Sequence, residues 1–167
     1  MAIQYLTNFT SWLSGTALTE FVAGHFWVVP ALQTIHILAI ASVLISVALI
    51  NLRILGVLDR SQPVPVVLDR YLRPVGIGVA ILAVTGFLLI AGEPTRAIFR
   101  TLFWLKMALI VVAALLTWSH RPAFAVDGAG VSVARKGIAI LAFLLWLGVV
   151  VAGRWIAYVE AWPGAPA

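Results

Sequence analysis

A few titratable side chains interrupt otherwise apolar stretches: His36, Lys106, His120 and Arg154, with Tyr158 four residues beyond the last. A charged or titratable group inside hydrocarbon is expensive, so each is by default a candidate functional group. An imidazole on an apolar helix is the usual axial ligand of a b-type haem, and a nearby Lys or Arg commonly meets its propionates. His36 lies about two turns into the first apolar stretch, Lys106 near the start of the third, and Arg154 near the end of the fourth. If successive stretches alternate in direction, these three share one depth. Arg154 and Tyr158 share a helix face. The expectation is therefore one pocket containing His36, Lys106, Met107, Arg154 and Tyr158, with Trp146 as a flat wall.

His120 is fourteen residues beyond Lys106, nearly four turns, which separates them by about 21 Å on one helix face. His36 and His120 differ in depth by roughly 15 Å at the standard rise, too much for a bis-histidine site. His25 is too close to the surface to help. The expected arrangement is one haem b on His36, with Met107 or no protein ligand opposite, and His120 as the weaker candidate for the iron.

Each residue also has a plainer reading. His36 could be a hydrogen-bonding packing residue and His120 an interfacial one beside Arg121 and Pro122. Lys106 could snorkel to the headgroups. Met107 could fill core, and Arg154 could anchor a helix end or pair with Glu93 or Glu160. The triplet Asn8-Phe9-Thr10 matches a glycosylation sequon, a pattern frequent by chance. No nucleophile–base pair, phosphate-cradling glycine loop or HExxH motif marks a catalytic centre.

The elements that must position these groups follow from composition. The chain has 167 residues, of which 63% are hydrophobic and only 10% charged, with a mean hydropathy of +1.09. A soluble domain carries roughly 25% charged residues to wet its surface, so most of this surface faces lipid. The absence of cysteine excludes disulfides, thiolate zinc sites, iron–sulfur clusters and covalently attached haem. The net charge of +5 is scattered through the connections, without the basic stripe that nucleic acid requires. The amino terminus lacks the features of a signal peptide, so the first apolar helix is expected to direct insertion itself.

About 20 apolar residues are needed to cross roughly 30 Å of hydrocarbon. Four stretches qualify: Trp27 to Leu52, Val75 to Ala91, Leu102 to Trp118 and Gly137 to Tyr158. Backbone groups in lipid must bond within their own segment, so each is a helix. Short connections rich in Pro, Gly and Asp separate them. The fold class is thus all-α, an integral membrane four-helix bundle running up-down-up-down over residues 27–167. Residues 1–26 place Phe9, Trp12, Leu13, Leu18 and Phe21 at roughly helical spacing, which predicts an interfacial amphipathic helix; a frayed tail is the alternative. Small residues spaced for close helix contact are Ser42 and Ser46, Gly76 and Ala80, and Gly148 and Ala152.

Lys and Arg near the helix ends set orientation. Arg53, Arg60, Arg70, Arg73, Arg121, Arg135 and Lys136 fall on one side, against Arg96, Arg100, Lys106 and Arg154 on the other. This predicts both termini outside the cytoplasm. Trp27, Trp104, Trp155 and Trp162 then lie at the outer interface and Trp118 at the inner one.

Thr34-Ile35-His36-Ile37-Leu38-Ala39-Ile40-Ala41, Asn51-Leu52-Arg53-Ile54-Leu55-Gly56, Leu145-Trp146-Leu147-Gly148 and Gly153-Arg154-Trp155-Ile156-Ala157-Tyr158 resemble an uncharacterised family of bacterial four-helix membrane proteins, in which an Asp stands where this chain has Asn51. The resemblance covers nearly the whole chain and implies a bacterial inner (cytoplasmic) membrane, but no activity. Trp104-Leu105-Lys106 through Ser119-His120 is more distantly similar to membrane protoporphyrinogen oxidases and copper-resistance D type proteins, which implies haem-linked roles for His36 and Lys106 only.

The leading expectation is a b-type haem membrane protein that moves electrons near the outer face or the quinone pool. Its partners would be the bilayer, a quinone or redox protein, and further copies of the chain. The alternatives are a non-enzymatic accessory or assembly subunit of a membrane complex and a porphyrinogen-type oxidase.

Overall fold

The computed structural model describes residues 2–58, 61–123, 131–156 and 158. Glu160, Trp162 and the Asp127-Gly128 turn lie outside them. The described residues form helices and no strands. Two short helices, α1 (Ala2–Ser14) and α2 (Ala17–Gly24), precede the spans. The four membrane-spanning helices are α3 (Val28–Leu55), α4 (Val64–Gly92), α6 (Thr101–Trp118) and α8 (Val133–Trp155). Between them lie the short α5 (Pro94–Ile98) and α7 (His120–Ala123). The chain is a multi-pass helical membrane protein.

The second span begins eleven residues before the expected Val75. Pro65 sits in its first turn, where a missing N–H costs nothing, and the helix continues through Pro74. Asp69, Arg70 and Arg73 thus lie on a helical extension beyond the apolar stretch rather than in a loop. At the near side of the same connection α3 ends on Gly56, whose φ of 76° is the left-handed conformation that glycine adopts without penalty. Its N–H closes onto the Arg53 and Leu52 carbonyls.

α3 pairs with α4, and α6 with α8, as two antiparallel hairpins; α3 and α8 join them. α4 and α6 hardly approach along their lengths, so the ring of four is open on that side. α5 and α7 bridge the opening at its two ends. The seam between the hairpins is apolar and tightly packed: Val43, Val47, Ile50, Val75, Ala113, Ala139 and Trp146 are all buried. Ile37, Leu38, Ile45, Val84, Leu115 and Leu144 point outward and remain exposed, as a lipid-facing surface requires.

The close α3–α4 contact falls at Gly78, not at the expected pair Gly76 and Ala80. A Cβ on Gly78 would stand 2.5 Å from Val43 Cγ2 and 3.6 Å from the Ala39 carbonyl oxygen. Gly76 faces the Trp118 ring instead, and Gly148 faces Leu109.

The amino-terminal segment is two helices broken at Gly15-Thr16 rather than one. Its apolar face buries Leu13 and Val22 against the ends of α4 and α5, and Val22 packs onto Gly92. The Thr19 hydroxyl lies 2.8 Å from the Ala91 carbonyl. Tyr5, Phe9, Trp12 and Phe21 stay exposed.

Candidate functional site

At the amino-terminal end of the bundle α3 meets α4 at His36. Its Nδ1 lies 2.7 Å from the Thr85 hydroxyl of α4. That hydroxyl lies 2.7 Å from the Ile81 carbonyl one turn earlier. A carbonyl only accepts, so the hydroxyl proton is directed to Ile81, and Thr85 can receive only an N–H from His36. The imidazole therefore carries its proton on Nδ1 and presents Nε2 as a lone pair. A hydrogen bond at one ring nitrogen sets the tautomer of the other, which is how metal-ligating histidines are oriented.

Gly86 supplies room beside the ring: a Cβ there would stand 3.5 Å from His36 Cε1. On the other hairpin, the Lys106 side chain crosses from α6 to α8 and lies over Gly153, with Nζ 3.8 Å from where a glycine Cβ would be. Lys106 is half-buried, and its charge is the one that acts electrostatically on His36. α3, α4 and α6 thus place His36, Thr85 and Lys106 about five to eight residues from the ends of their helices, with Gly153 two residues from the end of α8.

The other candidates are distributed differently. Arg154 is exposed at the end of α8, with its guanidinium 5.5 Å from the Tyr158 ring centroid, so these two pair with each other at the surface. Met107 is half-buried on α6, next to Lys106 in sequence but turned about 100° from it around the helix. Trp146 is buried in the α6–α8 seam and donates its indole N–H to Thr117 at 3.1 Å. Thr117 in turn donates to the Ala113 carbonyl at 2.7 Å. Thr117 stands eleven residues from Lys106, about 16 Å along the axis, so Trp146 belongs to the opposite half of the bundle.

His120 is also at that opposite, arginine-rich end. It is wholly buried, and burial followed by the Arg135 guanidinium pushes its pKa down to about 4. Arg135 reaches the Ser119 carbonyl at 3.3 Å. His25 is exposed and bonds the Phe21 carbonyl through Nδ1 at 2.9 Å. Glu93 pairs with Arg96 at 2.9 Å on the surface, not with Arg154.

Thr85, Gly86, Thr117 and Gly153 were not singled out from sequence. The two threonines carry a legible signal, because each is a hydroxyl in an apolar span that can bond its own helix and still accept from a neighbour. Among the described residues no cluster of three or more His, Cys, Asp or Glu could hold a bare metal ion.

The chain belongs to DUF6644, a family of unknown function, which matches residues 9–159. No curated protein and no solved structure matches it. None of these comparisons supports the expected similarity to membrane protoporphyrinogen oxidases and copper-resistance D type proteins.

Proposed function

For this member of a family without an assigned activity, we propose a membrane redox protein that holds a b-type haem on His36. The observation that supports the reading is the His36–Thr85 hydrogen bond, which leaves Nε2 free and oriented. The donor set fits the group. His36 would offer the iron a neutral nitrogen, and Lys106 an ammonium for a carboxylate in a region of low dielectric. Thr85 would hold the ring and its tautomer. The open side between α4 and α6 would admit a flat ligand from the bilayer. A bound haem would supply a one-electron iron couple, suited to exchange with a quinone or a redox protein. Arg154 can meet a carboxylate only at the surface, and Trp146 and His120 fall outside this role.

A second reading draws on the same bond. His36 and Thr85 would staple α3 to α4, and the chain would serve as an accessory or assembly subunit. A porphyrinogen-type oxidase, with Lys106 binding substrate carboxylates, has less support, because no comparison backs the similarity on which it rests.

The visible absorption spectrum of the protein purified from its native membrane separates these readings. A Soret band that disappears in His36→Ala and shifts in Lys106→Gln supports haem binding. A band that survives His36→Ala, or no band at all, overturns it.

A further inference from the structure

The arginine-rich end of the bundle carries a second feature, independent of His36. A recess of about 500 Å³ opens there, lined by Asp69, Leu72 and Arg73 of α4, Trp118 of α6 and Arg121 of α7. It lies where α4 emerges from the apolar stretch and where α6 ends, the level of lipid headgroups. Trp118 forms its inner wall and packs by its ring against Gly76.

Charge in the recess is unbalanced. Among the described residues Asp69 is its single acid, and it meets Arg121 at 3.6 Å across largely exposed side chains, a loose pair. Arg73 has no ion-pair or hydrogen-bond partner among the described residues. Among the described residues one guanidinium of a partly apolar recess is thus not engaged in an ion pair, with Asp69 one turn away on α4, and a second is held by a contact that a stronger anion displaces. Guanidinium forks bind phosphate oxygens bidentately, and an indole at this depth sits against the glycerol and acyl region.

We propose that this recess is a binding site for a phosphate-bearing anion, with Arg73 and Arg121 as its ligands and Trp118 and Leu72 as the apolar wall. Orientation alone explains why arginines collect at this end. It does not explain why two of them flank a cavity with an indole floor. Basic recesses between spans at a membrane surface are suited to anionic headgroups. Asp69 sets the affinity, because it competes for Arg121 with the incoming phosphate.

The test uses the full chain in a non-ionic detergent, with binding followed by native mass spectrometry. Three probes are compared: short-chain phosphatidylglycerol, phosphatidylcholine of the same chain length, and inorganic phosphate. Phosphatidylglycerol held more tightly than phosphatidylcholine assigns the site to a lipid headgroup. Inorganic phosphate bound as tightly as phosphatidylglycerol assigns it to a soluble phosphate. With either ligand, Arg73→Gln and Arg121→Gln should each weaken binding about fivefold, Asp69→Asn should strengthen it, and Arg96→Gln at the other end should leave it unchanged. Equal retention of the two lipids with no phosphate bound overturns the proposal. So does phosphatidylglycerol binding that survives both arginine substitutions. Circular dichroism of each variant separates loss of the site from loss of the fold.

Discussion

The Thr85 hydroxyl lies 2.7 Å from both the Ile81 carbonyl and His36 Nδ1, so one side chain joins α4 to α3 and fixes which nitrogen of the imidazole bears the proton. Replacing Thr85 by the isosteric Val removes the acceptor and leaves an N–H unpaired. Loss of such a partner costs about 1–3 kcal/mol. Outer-sphere partners of a metal-ligating histidine are typically worth 10–100-fold in affinity. The Thr85→Val protein should therefore melt lower and, on the haem reading, retain its chromophore about 10–100-fold less tightly. A melting temperature equal to the parent's would mean that the bond contributes nothing.

The Gly78 contact gives a packing prediction. Gly78→Ala drives a methyl into Val43, whose branched side chain has little rotamer freedom on a helix. Overpacking of this kind costs about 1–3 kcal/mol. Combining it with Val43→Ala should recover part of that loss, a coupling read from a double-mutant cycle of thermal melts. Strict additivity of the two changes would show that the helices separate here.

Trp146→Phe should be moderately destabilising, by about 1 kcal/mol, because it deletes the bond to Thr117. Trp146→Ala empties the seam and should cost about 3–5 kcal/mol. Neither should move the spectrum of a group held at His36, which belongs to the other half of the bundle. A spectral shift in Trp146→Phe would place both residues in one site.

His120 gives the fold a pH dependence. Its pKa is lowered in the folded chain from 6.5 to about 4, so between these values the unfolded chain takes up a proton that the folded one refuses. Stability is full above about pH 6.5 and falls as pH drops toward 4. Each pH unit of that window is worth about 1.4 kcal/mol, so the whole is worth no more than about 3 kcal/mol. Melting temperature measured from pH 7.5 to 4.5 should decline in the parent and flatten in His120→Gln. An equal decline in both would assign the effect to another group.

Topology follows from the excess of Lys and Arg at the end that carries the α3–α4 and α6–α8 connections. Both termini should be extracytoplasmic. An alkaline phosphatase fusion at Ala167 should be active and a green fluorescent protein fusion dark; the opposite pattern refutes the orientation.

Four spans were legible in the sequence because hydropathy over 20 residues depends on composition alone, and lipid leaves the backbone no option but a helix. The asymmetry of Arg and Lys was legible for the same reason, since it needs only a count at the helix ends. That His36 and Lys106 share a depth also followed from rise per residue and alternating direction. What they touch did not. Spans that are apolar on every face have little amphipathic pattern, so nothing local fixes their rotation about their own axes. Packing fixes it: Gly78 rather than Gly76 meets α3, His36 turns to Thr85, and Trp146 turns to Thr117. Likewise, hydropathy marked where apolar residues begin at Val75, but the helix begins at Val64, because hydrogen bonding and not polarity decides where a helix starts. The recess at Arg73 and Arg121 was invisible for the same reason, because its walls come from three helices whose mutual rotation only the packed bundle determines.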